Sequence, residues 1–391
     1  MNQTDQLVTR GIRIHYLVLF FSFGVLFPFL GPYFESELQF SGTQIGFLLS
    51  LNPIVLTIAQ PIWGAMTDYT QKPRLLLQIA LLGTAFTTFA FFFVSSYWSV
   101  VIAYIALSLI QSALVPISDS LAIQYATTKG LEYGSFRLWG AIGFAFSVLI
   151  MGFITEQLGL QSIFIALILI LLIAFLNSKV LPAYSAPLAA IQWKVGLARL
   201  LKMPQYLLFL LINFMIFGPI YANNSFFGFL ILGIGGSLAS LGWAFFLAAG
   251  SEAPFMKIAG TWIQRYGVMT MMIAAAAIAT LRWGLYAFQP SLLVIFLLIF
   301  LQGFSTGLFI PASIQFVYTT TPREVQATAI AVYSAVGNGL GTWFCSLFGG
   351  WLYENYSIGT TYLFFTILSA VGLILLFVLR KCYHESKEDL L

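Results

Sequence analysis

Twelve stretches of about 20 mostly apolar residues run through this chain, each the length a helix needs to cross a ~30 Å hydrocarbon core. They cover residues 14–34, 44–66, 75–95, 98–124, 135–155, 160–180, 205–223, 236–258, 268–288, 292–317, 328–350 and 359–379. Backbone polar groups inside a bilayer must be satisfied within their own segment, so stretches of this kind can only be helices. Charged residues are 8% of the 391 and hydrophobic residues 60%. Soluble domains carry about 25% charged residues, which excludes a soluble fold. The expected architecture is an all-α membrane protein of twelve transmembrane helices.

The basic residues fix its orientation. With the N-terminus inside, the inner segments hold Arg10, Arg13, Lys72, Arg74, Lys129, Lys194, Arg199, Lys202, Arg265, Arg323, Arg380, Lys381 and Lys387. The outer loops hold no Lys or Arg, but they do hold Glu35, Glu37, Glu156 and Glu354. This one-sidedness is the positive-inside pattern and places both termini in the cytoplasm, in a multi-pass protein of the cell inner membrane. The net charge of +4 is explained by orientation and gives no reason to expect nucleic acid as a partner. The first apolar segment is long and lacks a small-residue cleavage site, so it is expected to stay as span one.

Connections between spans are short. The longest, residues 182–204, includes Pro182, Pro187, Lys194, Arg199 and Lys202 and separates two six-span halves, 1–181 and 205–391. No Walker-type Gly-x-x-x-x-Gly-Lys run is present, nor room for a soluble catalytic domain, so any transport must draw on an ion gradient, the solute gradient or a partner subunit. No nucleophile–base pair or metal-ligand cluster lies in the spans, so neither enzyme activity nor a cofactor is expected. Cys345 and Cys382 cannot build a disulfide framework.

The halves echo each other. Gly64, Asp68, Lys72 and Arg74 follow span two; Gly260, Gln264, Arg265 and Gly267 follow span eight. Matching turns in matching positions are the trace of duplicated halves. Gly64 is expected to let two helices approach, and Asp68, Lys72 and Arg74 to form a gating loop at the cytoplasmic face.

Four groups of residues resemble a known family: Phe40 to Gly46 with Ala59 to Gly64; Tyr133 to Gly140; Ser251 to Phe255 with Leu281 to Gly284; and Ala327 to Tyr333 with Gly349 to Tyr353. Together with the Gly64 to Arg74 run they resemble the major facilitator superfamily, although Gln71 and Pro73 depart from its usual Gly-Arg-Arg ending. The nearer resemblance is to the proton symporters that include phenylpropionate permeases, with lactose permease and nucleoside symporters further off. It implies two pseudo-symmetric six-helix halves that rock around a midplane site.

Charged residues at membrane depth mark the candidate site. An arginine there costs ~3 kcal/mol or more, so Arg137 needs an anionic partner or solute. Asp119, late in span four, is brought near it by a helical hairpin, and a carboxylate beside a fixed cation keeps its ionised form. The resemblance implies that both contact solute; the alternative is an ion pair that only braces spans four and five. Glu252 precedes the helix-kinking Pro254 and is the expected proton carrier, with Asp119 second, since burial favours a neutral acid. Arg282 in span nine is its expected counter-charge, while Lys257 is expected to snorkel. Gln302 stands where the relatives usually have histidine, and Ser305 where lactose permease has glutamate. Glutamine can bind a solute but cannot titrate. His15 and His384 read as solvated bystanders.

Asn52, Gln60, Gln111, Asn213 and Asn338 are uncharged polar residues within spans; Asn52 and Asn338, flanked by Pro53, Gly337 and Gly339, are the best placed to meet a solute. Phe20, Phe21, Phe23, Phe27 and Phe29 crowd span one, and a few of them lining a cavity would suit an aromatic or amphipathic solute. The expected function is secondary active transport of a small organic solute by a monomer in the lipid bilayer, coupled to protons. An aromatic carboxylate, a sugar and a nucleoside are the candidate solutes. Two cations favour the carboxylate, unless Asp119 already neutralises Arg137. A proton-driven exporter of drugs or lipids, or a non-transporting sensor or accessory subunit, are the alternatives.

Overall fold

The computed structural model describes residues 3–183 and 193–382, and in them every regular element is helical. Pro187, His384 and Lys387 lie outside the described residues, and so does the side chain of Lys194. The helices are α1 (Gln3–Ser36), α2 (Gly42–Thr70), α3 (Pro73–Phe89), α4 (Tyr97–Gln111), α5 (Leu114–Lys129), α6 (Tyr133–Leu158) and α7 (Ser162–Ser178). There follow α8 (Trp193–Leu200), α9 (Pro204–Gly233), α10 (Leu238–Tyr266), α11 (Val268–Ala287), α12 (Leu292–Thr320), α13 (Gln326–Ser334), α14 (Thr342–Asn355) and α15 (Ile358–Cys382).

Nine of the rods among the described residues are long and apolar enough to cross a membrane by themselves. The α4–α5 pair counts as one of these, from Tyr97 to Lys129. Three more complete the expected twelve: the 17-residue α7, the more polar α10 with Glu252, Lys257 and Arg265, and the rod of α13 and α14 joined by a π-helical stretch, Ala335–Gly341. Several rods outrun the expected apolar limits, among them α1, which begins at Gln3, and α9 and α10. α9 continues through Asn223 and Asn224 to Gly233, and α10 continues to Tyr266. Hydropathy marks what lipid requires, while these helices end where a cap allows it.

Those ends are readable in local chemistry. Ser41 and Gln44 form a reciprocal capping box at the start of α2. Pro73 and Pro204 open α3 and α9 at positions that need no backbone donor. α2 stops at Gln71 with φ 53°, α5 at Gly130 with φ 65°, and α10 at Gly267 with φ 83°, each in a conformation that cannot continue a right-handed helix. The turns after α2 and α10 thus both carry a positive-φ residue but differ in ψ, 25° at Gln71 and 151° at Gly267. Their glycines do not act as expected: a Cβ on Gly64 or Gly260 would meet nothing within 4 Å. No helix approaches closely enough there to require glycine.

The chain forms two compact units. The first comprises residues 1–189 and 237–246, the second residues 190–236 and 247–391. Within the first, α1 packs chiefly against α6 and α7. Gly143 makes that possible, because a Cβ on it would strike the backbone carbonyl of Leu17; small residues are how membrane helices reach short separations. In the second unit α11 packs against α12 and α15, and α9 against α15 and the π segment. Buried aromatics fill this interior, with the rings of Trp283, Tyr286, Tyr362 and Phe365 5.4 to 6.1 Å apart.

Candidate functional site

Two polar clusters lie on the apolar helices, one in each unit. In the first unit, Asp119 on α5 and Arg137 on α6 meet as the hairpin predicts: Arg137 Nη1 donates to Asp119 Oδ1 at 3.4 Å. The Tyr16 hydroxyl of α1 donates to the same oxygen at 2.6 Å, and the Tyr133 ring lies 6.3 Å from that of Tyr16. The Arg137 guanidinium also sits 4.3 Å above the Phe20 ring, within the range of a cation–π contact. The pair is not sealed. Side-chain exposure is 42% for Arg137 and 26% for Asp119, so both can still reach a solute.

This arrangement departs from a bare ion pair. A carboxylate, a guanidinium, two phenols and a partly open phenylalanine ring under the guanidinium converge from three helices. Tyr16 and Tyr133 were not legible as site residues, because nothing in their spacing relative to Asp119 reveals that α1 and the start of α6 converge there. Phe20 stood out only as one of several phenylalanines.

In the second unit the expected direct contact between Glu252 and Arg282 is absent, and Gln302 stands between them. Arg282 Nη1 donates to Gln302 Oε1 at 2.5 Å, and Gln302 Nε2 donates to Glu252 Oε1 at 3.3 Å. The amide thus presents its acceptor to the cation and its donor to the carboxylate. Arg282 is 1% exposed and lies 3.9 Å above the Trp283 ring, with Glu252 only partly buried. Helix packing creates the bridge. A Cβ on Gly303 would collide with the backbone of Ser251, so the glycine beside Gln302 lets α12 press against α10 at Glu252.

The remaining candidates are scattered. Asn52 donates to Ser108 at 3.0 Å, linking α2 to α4. Asn338 is exposed within the π-helical stretch, while Asn213 is buried and donates to the Tyr333 carbonyl. Asp68 and Lys72 are exposed, and Arg74 donates to the Leu181 carbonyl at 3.3 Å, holding the end of the α6–α7 hairpin to α3. Lys257 is exposed, as expected for a snorkelling side chain. His15 is not solvated: it is 1% exposed and its Nε2 lies 2.9 Å from Ser118 Oγ, next to Asp119. It was misread because α1 begins at Gln3, well before the apolar run, which carries His15 deep into the packed part of the helix. Both cysteines are free, Cys345 buried and Cys382 exposed.

Comparison with known proteins gives this geometry a setting. Residues 10–364 match the MFS_1 like family. The maltose permease of Geobacillus stearothermophilus is 44% identical over 376 residues, which cover 96% of this chain and 95% of the permease. The probable 3-phenylpropionic acid transporter of Escherichia coli (strain K12) is 23% identical over 384 residues, covering 95% of this chain and 97% of that protein. Among solved structures, the nucleoside transporter NupG superposes with a TM-score of 0.84 at 18% identity, covering 98% of this chain and all of that one.

Proposed function

This chain belongs to the MFS_1 like family and is a multi-pass membrane transporter of small solutes, and we propose that its solute is a saccharide taken into the cell together with protons. The observation that carries this reading is that Arg137 is already neutralised and Arg282 is already bonded and almost fully buried. Arg137 is paired with Asp119, and Arg282 is bonded to Gln302 and stacked on Trp283. A solute carboxylate would have to displace Asp119 or Gln302 and leave the displaced group without its partner. An uncharged polyol can instead add hydrogen bonds to the half-open Asp119–Arg137 pair beside the partly open Phe20 ring. The likeness to a maltose permease over nearly the whole chain supports the same class.

Proton coupling falls to Glu252. It is the carboxylate of the second cluster, held by a neutral amide rather than directly by Arg282, so it can change charge without abolishing an ion pair. Gln302 then takes a structural role, bonding Arg282 Nη1 throughout the cycle. In this reading both termini are cytoplasmic, the cell membrane is the location, and turnover proceeds by alternating access.

Calorimetric titration of the purified protein with maltose, 3-phenylpropionate and xanthosine tests the solute class. Maltose is expected to bind and the other two not, with Arg137→Ala and Asp119→Asn each weakening binding at least ~10-fold, a change of about 1.4 kcal/mol. Binding of 3-phenylpropionate or xanthosine with no binding of maltose would overturn the saccharide reading.

A further inference from the structure

Helix α1 carries more aromatic surface than the Asp119–Arg137 pair uses, from the buried Tyr16 to the partly open Phe20, Phe23 and Phe27. Tyr16, Phe20, Phe23 and Phe27 recur at intervals of four, three and four residues, which places them along one strip of a helix. Their rings follow one another without a gap. Tyr16 and Phe20 are stacked with centroids 6.2 Å apart and planes 8° apart, Phe20 and Phe23 lie at 5.6 Å, and Phe23 and Phe27 are stacked at 5.7 Å with planes 6° apart. Phe20, Phe23 and Phe27 are each partly open, whereas Val25, Leu26, Phe29 and Leu30 on the same helix are fully buried against their neighbours.

The strip is anchored at a charged point. Phe20 lies under the Arg137 guanidinium, and a half-exposed arginine paired with aspartate does not face hydrocarbon without a cost of several kcal/mol. That cost argues that the Arg137 end of the strip faces water or solute rather than hydrocarbon. Gly140 completes the seat: a Cβ there would come within 2.8 Å of Phe20 Cδ2, so the glycine lets the ring lie flat to α6. From Phe20 to Phe27 the strip rises ~10 Å along the helix axis, room for more than one sugar ring.

We infer that Phe20, Phe23 and Phe27 form a stacking track for successive pyranose rings, so that the transporter prefers an oligosaccharide of two or more units to a monosaccharide. The inference rests on the saccharide reading above. Asp119 and Arg137 engage the hydroxyls of the first ring, with the buried Tyr16 holding Asp119 from behind, and the apolar C–H faces of the following rings lie on Phe23 and Phe27, the mode of contact that aromatic faces favour.

The test is titration of the purified full-length protein with methyl α-glucoside, maltose and maltotriose, for the wild type, Phe27→Leu and Phe27→Tyr. Wild-type affinity is expected to rise with the number of rings. Phe27→Leu should weaken maltotriose about fivefold, in line with the aromatic share of such contacts, and leave methyl α-glucoside unchanged. Phe27→Tyr, which keeps the ring, should retain the wild-type increments. The unliganded melting temperature of each variant separates a binding effect from a folding one, and Phe23→Leu, read the same way, replaces any variant that does not fold. Equal wild-type affinity for all three sugars, or an equal effect of Phe27→Leu on each, would overturn the track while leaving the saccharide reading intact. Failure of the wild type to bind any of the three would overturn both.

Discussion

At the residue scale, the second cluster turns on a glutamine where sequence alone suggests a direct carboxylate–arginine contact. Gln302 holds Arg282 and Glu252 at once, and Arg282 is almost completely buried. Replacing it by Leu should therefore strand a buried charge; hydrogen bonds to charged groups contribute about 1.5–3 kcal/mol, and a loss of that size is expected in the thermal unfolding of the detergent-solubilised protein. Unchanged stability would mean that Arg282 finds another partner. Glu252→Gln should remove accumulation against a gradient but preserve solute exchange in counterflow, because solute binding does not depend on its charge. Asp119 and Arg137 were legible because one helical hairpin fixes their neighbourhood. The intervention of Gln302 was not, because the sequence does not report how α10, α11 and α12 are rotated about their own axes. His15 shows the same blindness: the proximity of Ser118 to it depends on the register of α1 against α5.

At the scale of elements, hydropathy located every span, and capping chemistry placed the ends that hydropathy missed. The break between α4 and α5, at Ser112 and Ala113, and the π-helical stretch from Ala335 to Gly341 left no trace in average hydrophobicity. The alternating Gly337, Gly339 and Gly341 are the one local hint of the latter, and α9 packs against them closely enough that a Cβ on Gly341 would lie 2.9 Å from the Phe214 carbonyl. Close approach also sets the sites. Gly303→Ala should push α12 away from α10 at Ser251 and separate Gln302 from Glu252; overpacking of this kind costs roughly 1–3 kcal/mol. The expected outcome is a lower melting temperature together with weaker proton coupling. A variant with full coupling would show that the contact between α10 and α12 is not what positions the bridge. Gln71 offers the opposite change. Its left-handed conformation costs a non-glycine residue about 1–2 kcal/mol, so Gln71→Gly should raise stability without altering solute affinity.

For the whole molecule, duplication is visible in sequence and structure alike. The turns after α2 and α10 both end in a positive-φ residue, and each unit carries one polar cluster on its apolar helices. The clusters differ in character: the first is open, aromatic and ion-paired, and the second is tighter and bridged by an amide. That asymmetry is the physical basis for assigning solute recognition to Asp119 and Arg137 and proton exchange to Glu252. Composition could set the fold class but not the solute, because the decisive fact is what already bonds each arginine. The most direct test of that division of labour is uptake of labelled maltose by proteoliposomes under an imposed inward proton gradient, with external pH recorded. Maltose accumulation accompanied by external alkalinisation in the wild type, and lost in Glu252→Gln, is the predicted result; maltose uptake indifferent to the gradient, with no proton movement, would contradict it.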